Sequence, residues 1–488
     1  MPKKQEALFK LWMARQGLAD RTIQNYTQFL RTTMCSVLGI TGIEQNLFAC
    51  TTVDALASVK TRIVGMAGFD SNNKRYNNGF SAALGKYEDF LKGDFAPVPS
   101  VRPPSISTDQ APYLAAIRTK PFILLAGISG TGKSRLVRKL AKATCPENLA
   151  DPQKPGNFEM IQVRPNWHDS TELMGYVSRI SGKPEYVVTG FVRFLAKAWL
   201  FPEVPFFLCL DEMNLAPVEQ YFAEYLSVIE TRNSTIDESG KPKITTDVLV
   251  KLEKNLIEQV LNEVFSADWA EPEKHGKVEG LKTQFRKDCG IRIPANLVVM
   301  GTVNMDETTF SFSRKVLDRA MSFELNEVDL REGLDREGTE NSDTISATAV
   351  VPRYVEGRDV YDVNQALCDI VLEYLETVNA HLEGTPFKLA YRARNEIMVY
   401  VVERTEDGSD LPTALDEATA LKILPRIEGD EQKITKVWLD ALSELIAGKL
   451  TSLAGQSSYP PKGVKSVSLV KLAQMSKRLE GGYTSFWS

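Results

Sequence analysis

The stretch FILLAGISGTGKSRLVRKLA, residues 122–141, constrains the fold more than any other part of the chain. Five apolar residues, Phe122 to Ala126, read as a buried strand, and Ser134 to Ala143 reads as a helix. Between them Gly127, Gly132, Lys133 and Ser134 match the pattern G-x-x-x-x-G-K-[ST]. In such a loop the glycines let the backbone N–H groups curl around phosphates, so Gly127, Ile128, Ser129, Gly130, Thr131 and Gly132 form the expected cradle. Lys133 then reaches the β- and γ-phosphates, and the Ser134 hydroxyl holds Mg²⁺. A glycine-rich turn with no ligand is the competing reading, and the strand–loop–helix setting disfavours it.

A second stretch, FFLCLDEMNLAPVEQYFAEYLSVIETR, ends an apolar strand on two adjacent acids, Asp211 and Glu212. Unpaired carboxylates are costly at a buried strand end, so a cation belongs there. With a phosphate loop in the same chain, Asp211 fits as the residue that holds the same Mg²⁺ through water, and Glu212 as the base that polarises an attacking water. The alternative is an acidic helix N-terminus. A third strand, Leu297 to Val303, ends in Asn304, whose amide can orient the water beside the γ-phosphate; a polar residue that merely closes a strand is the bland alternative. Arg314 and Arg319 follow on a later helix, each either a solvated surface cation or a finger reaching a neighbour's nucleotide, which would require a ring of subunits.

The apolar runs PFILLAG, FEMIQVRP, PFFLCLDE and NLVVMGTVN, separated by helical patterns, predict a parallel α/β sheet. A charged helical stretch at about 232–292 reads as an insertion in a core spanning 113–345, and 346–488 reads as a helical lid and C-terminal region. Residues 1–95 read as a separate helical domain, joined by the proline-rich spacer 96–112 (APVPSVRPPSIS, 96–107, lies within it).

Six scattered cysteines without a C-x-x-C pair and only three histidines argue against zinc sites and a disulfide framework, which leads to the expectation of a reduced, cytoplasmic protein. No apolar run approaches the roughly 18 residues of a membrane span, so no membrane association is expected. The first 100 residues carry 12 Lys+Arg against 8 Asp+Glu, so the remainder carries −9 of the overall −5. That mildly basic region could meet nucleic acid, or simply be a solvated surface.

Taken together these motifs resemble an AAA+ ATPase, and in particular the McrB-type motor subunits of modification-dependent restriction systems. The resemblance rests on VRPNWHDSTELMGY (163–176), LDEMNLAPVEQYFAEYLSVIE, GTVN, VLDRA, YRARNEIMVY (391–400), KILPRIEGD (422–430) and GGYTSFW, and covers about residues 113–488. It implies an αβα P-loop core, a helical lid, a ring that is usually a hexamer, and a separate McrC-type nuclease chain as partner. Carried over by position, Arg319 is the first finger candidate and Arg314 the second, and Arg394 or Arg392 acts as sensor 2 on the γ-phosphate of the same subunit. The best-known members use GTP and carry Met-Asn-Thr-Ala-Asp at the sensor-1 strand end; Val303, Asn304, Met305, Asp306 and Glu307 stand here, so GTP preference is in question and the reading leans to ATP. MoxR-like chaperone ATPases share the same core motifs and are the alternative.

The segment 178–199 lies where such proteins insert a hairpin facing the pore or the partner, which makes Tyr186, Arg193 and Lys197 candidate contacts to DNA or the nuclease; an outer hairpin without a partner is the alternative. Trp167 and Trp199 read as core residues. FKLWMARQGLADRTIQNYTQFLRTT resembles the helical arm-type DNA-binding domain of tyrosine recombinases, with Lys74, Arg75 and Lys86 as candidate phosphate contacts, against a protein-interaction module.

Overall fold

In the computed structural model the described residues are 6, 9–10, 13, 20–40, 46–50, 52–66, 68–92, 110–149, 154–236, 242–265, 275–305, 310–326, 345–352, 354–455, 458–461 and 464–487. The chain divides into two compact units, Met1–Arg102 and Pro103–Ser488.

The first unit is helical, with helices at Asp20–Gln28, Val53–Val64, Phe69–Arg75 and Gly79–Lys92. Thr52 opens one of them by accepting from the Ala55 N–H at 3.3 Å, so a hydroxyl satisfies a donor that the first turn leaves over. Their apolar stripes close on Phe9, Leu30, Phe48, Phe80, Leu84 and Tyr87, all buried. The Phe9 and Tyr87 rings meet edge to face with centroids 5.2 Å apart, and the Tyr87 hydroxyl donates to the Cys50 carbonyl at 2.7 Å.

The second unit is built on a five-stranded parallel sheet. Its strands are β1 (Phe122–Gly127), β2 (Phe158–Gln162), β3 (Phe206–Asp211), β4 (Leu297–Asn304) and β5 (Met321–Glu324), in the order β5-β1-β4-β3-β2. Every residue of β1 and β4 is buried, as expected for strands covered on both faces, and this is why they read as unbroken apolar runs. Edge strand β2 alternates instead. The fifth strand, MSFE, is too short to carry a period and escapes the sequence reading.

Helix α1 (Ala111–Thr119) precedes β1, and α2 (Lys133–Thr144) follows it. The insertion departs from its helical reading. It opens with an antiparallel hairpin, Asn233–Ile236 with Pro242–Thr245, and a second pair, Val248–Lys251 with Gly290–Arg292, brackets the helices Ile257–Val264 and His275–Asp288. Hairpin pairing satisfies the backbone of a polar segment without needing an apolar face, so the sequence carries little trace of it.

The C-terminal part is mainly helical, including α3 (Tyr391–Glu406) and α4 (Val467–Leu479), with a two-stranded sheet joining Glu428–Asp430 to Tyr483–Ser485. Buried Asp416 fixes the start of α4, accepting from Ser466 Oγ at 2.7 Å and from the Val467 and Ser468 N–H groups at 2.8 and 3.1 Å. Helix α3 packs along α1, where buried Arg118 bonds Glu403 at 2.6 Å and the Ala349 carbonyl at 2.8 Å and also pairs with Asp407. Removing one partner of a buried ion pair of this kind typically costs about 3–5 kcal/mol. Among the described residues no helix is long and apolar enough to cross a membrane.

Candidate nucleotide site

The site forms where β1, β3 and β4 end. Register places Gly127 beside Asn304, so the phosphate loop and the end of β4 are neighbours by construction. Gly127 is required sterically: a Cβ there would stand 2.4 Å from the Leu325 carbonyl oxygen. Gly132, at φ +80°, turns the chain into α2 in a conformation that L side chains rarely adopt.

Ser134 Oγ donates to Asp211 Oδ1 at 2.6 Å, and Thr302 Oγ1 donates to the same oxygen at 2.9 Å. Thr302 also accepts the Glu212 N–H at 2.8 Å. Asn304 Nδ2 stands 3.3 Å from Glu212 Oε1, while Asn214 Nδ2 donates to the Asn304 carbonyl at 3.2 Å. Glu212 adopts φ +53°, ψ +50°, a left-handed conformation uncommon for a residue with a side chain. Lys133, 6% exposed, donates to the Gly127 and Ile128 carbonyls at 2.9 and 2.8 Å. A triphosphate would compete with these carbonyls for its ammonium. Next to Asp211, burial pushes the Cys209 thiol up to about 12, and the carboxylate charge adds to the shift, so this thiol stays protonated.

The donor set fits Mg²⁺. A serine hydroxyl and a carboxylate converge, both hard oxygen ligands, and magnesium carried by phosphates needs only one or two protein ligands. Among the described residues no group of three or more His, Cys, Asp or Glu is arranged for a metal.

The structure therefore brings Lys133, Ser134, Asp211, Glu212 and Asn304 together. Sequence reasoning passed over Thr302, which joins the metal-side acid to the base-side peptide. The signal was present: strand periodicity puts Thr302 on the same face as Asn304. Asp306 and Glu307 lie outside the described residues.

The arginines are elsewhere. Ile123 pairs with Met321, so Arg319, just before β5, lies about 13 Å or more below Gly127 at ~3.3 Å per residue. At that lower edge Glu230 is shared: Lys120 reaches it at 2.8 Å, Arg392 at 2.5 Å and Arg319 at 3.8 Å. Arg392 thus sits with the opposite edge of the sheet, not beside its own phosphate loop as a same-subunit sensor 2 would. Arg394 bonds Asn395 at 2.7 Å and lies over the Tyr391 ring, and Arg314 donates to the Pro386 carbonyl at 2.8 Å. Close by, Arg426 pairs with Asp318 at 3.1 Å, Lys422 donates to the Asp318 and Ala320 carbonyls at 2.9 Å each, and Lys120 and Lys422 both pair with buried Glu396. Burial pulls the Lys422, Arg426 and Arg232 cations below their ordinary values. Nε of Arg319, Nε and Nη1 of Arg426 and Nη2 of Arg232 are buried with no hydrogen-bond partner among the described residues.

The candidate partner contacts need correction. Tyr186 is 7% exposed and its hydroxyl donates to the Met174 carbonyl inside the core. Arg193 pairs with Glu263, and Lys197 donates to the Gly156 carbonyl at 2.7 Å. The hairpin itself exists, Tyr176–Ser178 with Glu185–Val187; Tyr186 anchors it inward, Lys197 is spent on the Gly156 carbonyl, and Arg193 stays exposed in its pair with Glu263. Trp167 is buried, and half-buried Trp199 donates to the Arg292 carbonyl at 2.9 Å. Lys74 and Arg75 are exposed in the last turn of Phe69–Arg75, and Lys86 is half-buried on Gly79–Lys92.

Residues 122–271 match the family model of the AAA domain of the dynein-related subfamily. That match ends within the insertion although the sheet continues to β4 and β5, and residues 345–483 match a second model, a domain of unknown function, DUF8727. No curated protein matches the chain. Among solved structures, a candidate ATPase from Cytophaga hutchinsonii ATCC 33406 is 15% identical and covers 65% of this chain and 80% of its own, with a TM-score of 0.35, too loose a superposition to carry an argument.

Proposed function

We propose that the chain is a Mg²⁺-dependent nucleoside triphosphatase that works as a ring motor, a hexamer by analogy with the resembled family, in a McrBC-like DNA restriction system, driving a separate nuclease chain. The enzymatic part rests on one observation, the convergence of Ser134, Thr302 and Asn304 on the Asp211–Glu212 pair beside the phosphate loop. Ser134 and Asp211 would hold Mg²⁺, which when bound neutralises charge on the phosphates. Lys133 exchanges its carbonyl partners for phosphate oxygens. Glu212, anchored by Asn304 at its side chain and by Thr302 at its backbone, accepts the proton of the attacking water. The AAA domain supports ATP as the substrate over GTP.

The ring rests on the separation of Arg319 from its own loop. An arginine at the far edge of the sheet serves a nucleotide only if a second copy presents one, as in a head-to-tail ring. The restriction role rests on the McrB-like phrases, and DNA reading by residues 1–95 on exposed Lys74 and Arg75.

A second reading, a MoxR-like ATPase that remodels a protein, gains from the inward use of Tyr186 and Lys197. Hydrolysis of ATP and GTP, measured with and without duplex DNA, separates the two. Stimulation by DNA supports the motor; hydrolysis indifferent to DNA, together with no gel-shift by the full chain at low salt, removes the DNA role.

A further inference from the structure

Edge strand β5 links the two edges of the sheet, and the C-terminal part grips it at both ends. At its start Lys422, 2% exposed, holds the Asp318 and Ala320 carbonyls that flank Arg319. At its end Lys471 of α4, 3% exposed, bonds Glu324 Oε1 at 2.7 Å. The same carboxylate oxygen accepts Asn326 Nδ2 at 2.6 Å, and Asn326 Oδ1 accepts the Ile128 N–H of the phosphate loop at 3.0 Å. The Gly127 carbonyl, on the same peptide as that N–H, holds Lys133 at 2.9 Å. Every bond in the series from Lys133 through the Gly127–Ile128 peptide, Asn326 and Glu324 to Lys471 is therefore of ordinary hydrogen-bond length, and Asn326 is the one side-chain amide in it.

We infer that Asn326 is a positioning residue that reports the state of the phosphate loop to helix α4, and that the C-terminal region is the element that receives the signal. The inference rests on the nucleotide-binding reading above. A triphosphate that draws the Lys133 ammonium from the Gly127 carbonyl loosens the Gly127–Ile128 peptide, and the Ile128 N–H on that peptide then changes its bond to Asn326. The amide is rigid, so a shift at Oδ1 moves Nδ2 and alters its bond to Glu324. Lys471 is buried with Glu324 as its counter-ion, so it follows the carboxylate rather than turn to solvent. A plain edge-covering ion pair would hold β5 in place equally well with or without nucleotide, so the distinguishing property is response.

The test is hydrogen–deuterium exchange of the full chain with and without Mg²⁺ and a non-hydrolysable ATP analogue, with affinity measured separately by calorimetry. In the native chain, analogue binding is expected to change exchange of the 467–479 amides by about threefold or more. In Asn326→Ala the analogue still binds, within about tenfold of native affinity, and the change at 467–479 is lost. Asn326→Asp, which keeps an acceptor for Ile128 but repels Glu324, loses it too and guards against a folding defect in the first variant. Lys471→Arg retains the response and Lys471→Met does not. A response that survives in Asn326→Ala or Asn326→Asp, or a native chain that binds the analogue without any change at 467–479, overturns the inference. A native chain that binds no triphosphate overturns the nucleotide reading itself, and calorimetry tells that failure apart.

Discussion

The two edges of the central sheet are chemically opposite. At the upper edge each polar group answers another: Ser134 and Thr302 share Asp211, Asn304 holds Glu212, and Lys133 rests on two carbonyls. At the lower edge cations outnumber acids. Lys120, Arg232, Arg319, Arg392, Lys422 and Arg426 surround Glu230, Asp318 and Glu396, and several guanidinium N–H groups have no partner among the described residues. Desolvating an unmatched cation is expensive, and under the ring proposed above an anion from a neighbouring subunit would offset that cost. The upper edge is complete within one chain; under that proposal the lower edge is completed by another.

The largest expected effect tests that contrast directly. Arg319→Ala should lower kcat by about 10³–10⁵ while calorimetric affinity for the nucleotide stays within a few-fold. Equal loss of affinity would place Arg319 at its own site and collapse the distinction. Next, Glu212→Gln should bind nucleotide and lose about 10²–10⁴ in rate. Mixing it with Arg319→Ala sharpens the comparison, because random assembly joins an intact Glu212 to an intact neighbouring Arg319 at about a quarter of interfaces. Activity should reappear on mixing two inactive proteins, and a mixture as dead as its components argues for sites contained in single subunits. Thr302→Val removes the hydroxyl that bonds the Asp211 carboxylate and the Glu212 N–H, and the loss of these two hydrogen bonds should cost about tenfold in kcat. The smallest change is expected for Glu230→Gln, within about threefold, since its partly exposed ion pairs are worth little singly. A loss matching that of Arg319→Ala would make the lower cluster a structural clamp instead of a receptor for phosphate.

Legibility in the sequence followed how local the determining physics was. The phosphate loop could be read because glycines, lysine and serine at fixed spacing impose one backbone path between an apolar strand and a helix. Asp211, Glu212 and Asn304 could be placed because a buried strand tolerates a polar residue only where it ends. Strand β5 could not, since the four residues of MSFE are too few for their alternation to mark a strand, and it is fixed by pairing with β1. The hairpin at 233–245 was masked by polar residues whose backbone, rather than side chains, holds it together.

For long side chains, the sequence by itself settled less. It determined that two acids and an amide meet a phosphate loop, because strand ends and loop spacing are set within a few residues along the chain. It left open which way each arginine, lysine or tyrosine turns. Tyr186 went inward to Met174, Lys197 to Gly156 and Arg392 across to Glu230, each toward a partner from another element. Flexible side chains follow the nearest unmet acceptor or apolar surface, and only the packed tertiary structure decides which one that is.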